Sequence, residues 1–478
     1  MTERVEVAVI GAGPGGLSAA LAAAKAGAQV TLIDSYQTPG GQYFRQMPED
    51  WAESLIDRSS PRQRQGRALC EQVAQAGVQT LSNTVVWGTA EGNTLALHGS
   101  EAPALLQAQA IILATGAYDR PIAFPGWALP GVMTAGAARI LLTQKVLPGK
   151  RVLLAGTGPL QLVLAAELVR AGAEVVAVLE GACFFRDGLR HLEALWGQWK
   201  RLAEGVSSRL TLLTRRVPYR TGWGIIAASG TDQVEQVTIG RLDNRWHLIP
   251  GSEETLACDT LCLGYGFVPF NALARLLGAK HEWRPDLGGE VPHRDSHMQT
   301  TVPRVYAVGD GAGIGGAQLA LVEGQIAGIA AAAHFGHGAA SVEIAIQQLA
   351  PALARERRFQ QMYAALFTPG PGLYELNSDD TVLCRCEEVT QADVRQAIAM
   401  GADSANEVKS ITRCGMGDCQ GRMCSHLITR LVARETGRPM TEVESFTPRP
   451  PIYPVPIGVL SQQAMDSLQE EMVEVAQG

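Results

Sequence analysis

One local pattern constrains this chain more than any other, and it occurs twice. The apolar run 5–10 meets a glycine turn, GAGPGG, made by Gly11, Gly13, Pro14, Gly15 and Gly16 around Ala12. An Ala-rich helical stretch follows, then a second apolar run, 29–33, that ends on Asp34. Strand, glycine turn, helix, strand and acid within about 30 residues make the first βαβ unit of a dinucleotide-binding fold. The pattern returns 145 residues further on: run 151–155, then GTGPLQ with Gly156 and Gly158, a helical stretch, and run 174–179 ending on Glu180. That spacing is too long for a solenoid repeat and suits a second nucleotide-binding domain. The fold class expected is α/β with two Rossmann-like domains.

Each residue of the first turn has a physical task. Gly11 permits the sharp turn, Gly13 lets backbone approach a pyrophosphate, and Gly16 lets helix and strand pack closely. Pro14 and Gly15 open the helix, whose free N–H groups and partial positive charge suit phosphates. Asp34 stands 18 residues beyond Gly16, where a carboxylate accepts from ribose hydroxyls and repels a 2′-phosphate. The turn alone would also fit any tight βα connection. Three later segments add context: PGGQ with Gly41 and Gln42, IILATGA with Thr115 and Gly116, and Thr301-x4-Tyr306-Ala-Val-Gly309-Asp310 before another helix. In this order they resemble the flavoproteins with two dinucleotide-binding domains related to glutathione and thioredoxin reductase. The resemblance covers about residues 1–335 and implies FAD, with Asp310 on its ribityl chain; a helix N-cap is the plainer role for that residue. The expected division is an FAD domain of 1–120 and 251–335 around a second domain of 121–250.

The second turn departs from the pattern at Gln161, where the first has Gly16. A side chain there can push the helix off the strand or intrude on the pyrophosphate. NAD, another adenine nucleotide, or an empty relic of the fold all remain open at Gly156, Gly158 and Glu180. The superfamily's disulfide reductases need a close cysteine pair beside the flavin. Cys70, Cys183, Cys258 and Cys262 are scattered, so no thiol relay is expected.

The net charge is −7, which argues against nucleic acid as the partner. No apolar run approaches the roughly 20 residues of a transmembrane helix. The stretch 317–333 comes nearest and is broken by Gln318, Glu323 and Gln325. The start lacks a signal peptide's pattern, so a cytoplasmic protein is expected, either free or peripheral to the inner membrane through its acceptor. Thiols stay reduced there. Five of the nine cysteines crowd into residues 384–424, which reads as metal ligation. Cys384 and Cys386 share one side of an extended segment, and RCGMGDCQGRMC brings Cys414, Cys419 and Cys424 among glycines 415, 417 and 421. Those glycines are expected to wrap an inorganic core. Four thiolates suit a [2Fe–2S] cluster. Structural zinc is the alternative, though it favours wider pairs than C-x-C. Spacing alone leaves the spare cysteine undecided. Helices are expected at about 390–400 and 404–412. An Arg-bearing connector spans 336–380, its charges a solvated face; the cysteine module spans 381–440 and a Pro-rich tail 441–478.

The cysteine stretch resembles the domain like bacterioferritin-associated ferredoxin that ends several flavoprotein dehydrogenases. That resemblance implies ligands Cys384, Cys386, Cys419 and Cys424, with Cys414 outside the set. Together with GGQYFR and FPGWALPGVMTAGAARILL (124–142), nearly the whole chain resembles the FAD-containing alpha-type subunits of heteromeric amino-acid dehydrogenases, which include D-hydroxyproline dehydrogenase, opine oxidase and hydrogen cyanide synthase. The resemblance implies an electron-transfer subunit. Its partners would be a flavoprotein beta subunit that oxidises the C–N bond and, in some complexes, a small ferredoxin-like gamma subunit. An NADH-dependent reductase of a ferredoxin-type acceptor and a non-catalytic assembly subunit are the alternatives. No catalytic base stands out.

Overall fold

The computed structural model describes residues 3–46, 60–183, 193–337 and 342–461. The first apolar run becomes Glu3–Ile10, the centre of a sheet, with Val7, Ala8 and Val9 fully buried. A strand covered on both faces reads as continuous apolar sequence, as this one does. It pairs in parallel with Val30–Ile33 on one side and Leu105–Leu113 on the other. Gln79–Leu81 extends one edge, and the antiparallel strands Thr94–His98 and Val85–Ala90 extend the other. Val305–Ala307 returns late in the chain to pair with Leu105–Leu113.

The helix Pro14–Ala26 lies against the helix Ala317–Ala333. Small residues let the two backbones touch. A Cβ on Gly324 would fall 2.2 Å from the Gly15 carbonyl oxygen, and one on Gly328 would fall 2.3 Å from that of Ala19. The apolar stretch 317–333 is therefore a core helix. Among the described residues, no helix is long and apolar enough to cross a membrane.

The second sheet is parallel throughout, in the order Tyr219–Thr221, Glu174–Glu180, Arg151–Gly156, Thr260–Gly264, Val132–Thr134. An antiparallel layer of Trp223–Ser229, Gln236–Arg241 and Glu254–Ala257 packs beside it. One boundary differs from expectation. The expected division puts Thr260–Gly264 in the first domain, but it pairs with Arg151–Gly156 and Val132–Thr134 and is buried along its whole length. A fully apolar strand needs neighbours on both sides, and the second sheet supplies them. The crossing between sheets is made by Ala117–Asp119 and Phe267–Pro269, paired antiparallel.

The connector contains the helix Val342–Phe367, which buries Met362 and Leu366 while Arg355, Arg357 and Arg358 stay more open to solvent. The cysteine module is a short hairpin, Val382–Cys384 with Val389–Thr390, and helices Gln391–Ala399, Ala405–Thr412 and Ser425–Thr436. Reciprocal capping boxes, Thr390 with Asp393 and Ser404 with Glu407, start two of these helices. The module's apolar core, including Leu383, Val394, Val408 and Ile428, runs on without a break into that of the second sheet, including Trp127, Leu153 and Tyr265. The Trp127 indole N–H donates to the Val382 carbonyl at 2.6 Å. The Pro-rich segment that follows lies extended, and the Ile452 N–H donates to the Trp87 carbonyl of the first unit at 2.8 Å. Residues 462–478 of the expected tail lie outside the described residues.

Candidate functional site

A cleft of about 2900 Å³ runs between the two sheets. That is several times the roughly 300–1,000 Å³ of an ordinary ligand pocket. Gly11, Gly13, Pro14, Gly15, Asp34, Gly41, Gln42, Thr115, Gly116, Gly309 and Asp310 all line it, so the expected flavin residues, apart from Gly16, meet on one surface. Gly16 lies beneath the turn, where a Cβ would fall 1.7 Å from the Gly11 carbonyl oxygen. Above Gly13 the space within 4 Å is open. Its carbonyl accepts the Leu17 N–H at 2.9 Å, so the helix begins at the glycine a phosphate would approach.

Asp34 is buried, and its carboxylate takes the N–H groups of Ala12 and of Tyr36, the latter at 2.8 Å. Burial raises its pKa; the two N–H groups and Arg45 oppose the rise. Gln42 donates to the Tyr36 hydroxyl at 2.9 Å and accepts from Arg45 at 3.1 Å. Asp310, also in the cleft wall, accepts the N–H groups of Gly315 and Gly316 at 2.9 and 2.8 Å, just ahead of the helix Ala317–Ala333. Gly309 donates its N–H to Glu323 at 2.9 Å, and Glu323 holds both arms of Arg294 at 3.0 and 3.1 Å.

The second turn opens on the same cleft through Gly158 and Glu180. Glu180 repeats the role of Asp34, accepting N–H from Gly158 at 3.0 Å and from Ala182 at 2.9 Å. Burial pushes its carboxyl up to about 7. Gln161 neither lifts the helix nor enters the cleft. Its fully buried amide lies under the turn, over bare Cα atoms: a Cβ on Gly156 would sit 2.5 Å from Nε2, and one on Gly264 only 1.7 Å. Neither amide atom has a hydrogen-bond partner. The Tyr363 hydroxyl of the connector helix stands over this turn, 2.7 Å from where a Cβ of Gly158 would lie.

The cysteine module gathers its thiols in two pairs. Cys384 and Cys424 share a hydrogen bond, which pulls the Cys384 thiol down to about 5 and pushes that of Cys424 up. Cys386 shares a side-chain hydrogen bond with Cys419. Gly415 donates its N–H to Cys384 Sγ at 3.5 Å. Cys414 is fully buried, and burial lifts its thiol to about 11. Among the described residues, no three His, Cys, Asp or Glu side chains form a group for a metal ion. The two pairs together offer four thiols, the number a [2Fe–2S] cluster needs. The glycines also make room for neighbouring side chains. A Cβ on Gly415 or Gly421 would meet the Phe446 ring at 2.4 and 2.7 Å, and one on Gly417 would meet Cys386 Cβ at 2.3 Å. At Gly415 and Gly421 that neighbour is the ring of Phe446, from the segment after the last helix.

Residues 5–336 match the model of the pyridine nucleotide-disulphide oxidoreductase family. The chain belongs to that family. As an oxidoreductase of this family it is FAD-dependent. Residues 380–464 match the sarcosine oxidase A3 domain. The chain is similar to the A-type subunit of opine oxidase from Rhizobium meliloti, 32% identical and covering 97% of this chain and 88% of that one. It is also similar to hydrogen cyanide synthase subunit HcnB of Pseudomonas protegens, at 31% identity over 94% and 96% of the two chains. Among solved structures, L-proline dehydrogenase from P. horikoshii shares the fold, with a TM-score of 0.68, 21% identity, and coverage of 96% of this chain and 80% of that one. Thioredoxin reductase of T. acidophilum matches at a TM-score of 0.51 and 19% identity, over 70% of this chain and 99% of that one.

Several residues in and around this oxidoreductase's cleft escape the sequence pattern. Asp119 lines the cleft and accepts from the Thr134 hydroxyl at 2.9 Å and the Gly136 N–H at 3.3 Å. Arg120 bonds His426 at 2.8 Å and donates to the carbonyls of Phe267 and Gly288 at 3.0 and 2.9 Å, joining distant parts of the chain. Arg294 and Glu323 lie 29 residues apart. Only Glu323 leaves a trace in the sequence, as a lone carboxylate in an apolar helix.

Proposed function

We propose that this chain is the FAD/[2Fe–2S] electron-transfer subunit of a heteromeric dehydrogenase that oxidises the C–N bond of an amino acid or opine. The supporting relatives are named as subunits of opine oxidase and hydrogen cyanide synthase. The observation that carries the reading is the shared cleft: Arg422 of the cysteine module and Tyr453 of the tail line it together with Gly11 and Asp310. FAD supplies two-electron chemistry and a [2Fe–2S] cluster one-electron chemistry. The chain's own residues would hold these groups. The helix N-terminus at Gly13 would take the pyrophosphate, Asp34 the ribose and Asp310 the ribityl chain, while Cys384, Cys386, Cys419 and Cys424 would hold the iron. The substrate belongs to a partner flavoprotein subunit, with a small ferredoxin-like subunit as a further partner.

Two observations weigh against the alternative of a self-sufficient NADH-dependent reductase. Tyr363 crowds Gly158, where a dinucleotide's pyrophosphate would approach. Beyond the two N–H groups that parallel those on Asp34, Glu180 also takes the Tyr219 hydroxyl, at 3.4 Å. If an adenine nucleotide binds the second turn, it does so as a structural ligand. A disulfide relay is likewise unsupported: burial lifts the thiols of Cys70 and Cys258 to about 11 and that of Cys262 to about 12.

The test is anaerobic purification followed by a visible spectrum and assays of iron and acid-labile sulfide. Flavin and iron together, with a flavin that NADH leaves oxidised, support the proposal. Rapid bleaching by NADH transfers support to the reductase, and a colourless protein to the assembly subunit.

A further inference from the structure

Arg422 occupies an unusual place. It sits three residues past Cys419, yet its guanidinium faces the flavin cleft. It lies 4.8 Å from the centre of the Phe270 ring and 4.4 Å from that of Tyr453, and the two rings meet edge to face at 5.6 Å. One arm donates to the Cys419 carbonyl at 3.1 Å and another to the Ile452 carbonyl at 2.9 Å. Phe270 is itself fixed to the flavin strand end: its N–H donates to the Gly116 carbonyl at 2.9 Å, and its carbonyl accepts the Thr115 hydroxyl. Tyr118, also in the cleft wall, lies within electrostatic reach of Arg422, Cys419 and Cys424. A short chain of contacts thus runs from Thr115 and Gly116 through Phe270 and Arg422 to Cys419. Among the described residues no carboxylate pairs with Arg422, so its charge is left for whatever anionic group lies near.

We propose that Arg422 is the positioning residue that couples the flavin cleft to the cysteine module. It holds the Cys419 loop at the cleft wall and sets a fixed positive charge between the two redox sites. The inference rests on the FAD/[2Fe–2S] reading. With both groups bound, the step it would serve passes one electron from reduced FAD to the oxidised cluster, and Arg422 would gain and lose neither electron nor proton. A guanidinium suits the task because its planar fork can stack between rings while bonding two carbonyls, and a lysine ammonium cannot do both. A cation near a cluster of thiolates and sulfides favours the added electron.

The test uses the full chain carrying both cofactors. The flavin is photoreduced by a light flash with EDTA as donor, and cluster reduction is followed by absorbance; midpoint potentials come from EPR-monitored titration. Arg422→Gln is expected to retain iron, to slow electron arrival at the cluster by roughly tenfold or more, the scale on which positioning contacts act, and to lower the cluster's midpoint potential. Arg422→Lys is expected to keep the potential close to that of the unmodified protein while remaining slow. Unchanged rate and potential in an iron-replete Arg422→Gln protein would overturn the proposal. Iron loss in both variants overturns it too, because Arg422 would then be a structural strut alone. An unmodified protein without iron refutes the underlying electron-transfer reading, a separate result that is visible before any variant is made.

Discussion

The Gln161 amide rests against the bare Cα of Gly264, the last residue of the neighbouring strand, at a point where a methyl group would be only 1.7 Å from Nε2. The second turn thus dispenses with its third glycine by placing a glycine on the facing strand. Ala114, which holds the corresponding place beside Gly11, has a side chain because Gly16 leaves it room.

The relationship predicts a compensating pair. Gly264→Ala should destabilise the chain by about 1–3 kcal/mol through overpacking. Adding Gln161→Ala should recover most of the loss. Denaturant unfolding of the two single variants and the double variant measures the coupling, and strict additivity would contradict the contact.

Gly13 has open space where its side chain would be. Gly13→Glu should therefore fold normally yet fail to load FAD, because the carboxylate would occupy the phosphate position at a helix N-terminus. Circular dichroism should be unchanged while absorbance near the flavin bands disappears. Normal flavin content would refute this placement of the pyrophosphate.

Glu323 and Arg294 form a buried two-armed ion pair that also fixes Gly309. Removing one partner strands the other's charge. Glu323→Ala should cost roughly 3–5 kcal/mol, and the double change Arg294→Met with Glu323→Leu should cost less. Chemical denaturation compares the variants.

Glu180 gives a pH dependence with a definite sign. Its carboxyl is held at about 7 in the folded chain, against 4.5 for an unperturbed group. Between those values the folded state binds the extra proton. Its contribution is fully present below about pH 4.5 and is lost as pH rises through about 7, at up to about 1.4 kcal/mol per unit. Glu180→Gln should remove that slope, so the stability difference between variant and parent should shift in the variant's favour from about pH 5 to about pH 8. Parallel stability curves across that range would exclude the assignment.

Cys419→Ser should abolish the cluster's EPR signal, and Cys414→Ser should leave it. Cys419 is paired with Cys386, whereas Cys414 is a fully buried thiol that burial keeps protonated. Loss of iron on Cys414 substitution would redraw the ligand set.

The flavin half is legible in the sequence because backbone chemistry writes it there. Glycines at 11 and 16 are required by contacts that no side chain could survive, and Asp34 must follow a strand of fixed length. The second half is legible in kind but not in extent. Thr260–Gly264 carries no mark saying which sheet it joins, since any buried parallel strand looks alike. Gln161 stands out as a departure, yet its accommodation depends on Gly264, 103 residues away. Arg120, Arg294 and Arg422 are invisible for the same reason. Their partners come from distant segments, and an arginine among surface charges looks like any other until the chain closes round it.

The unbroken core beneath the cysteine module has a mechanical consequence. A small domain on a tether can swing; this module is rooted by Leu383, Val394 and Ile428 in the same apolar mass as Trp127 and Tyr265. On the proposed reading, the gap between the flavin cleft and the four cysteines is set once, when the chain folds. On that reading, shuttling falls to the molecules that arrive and leave.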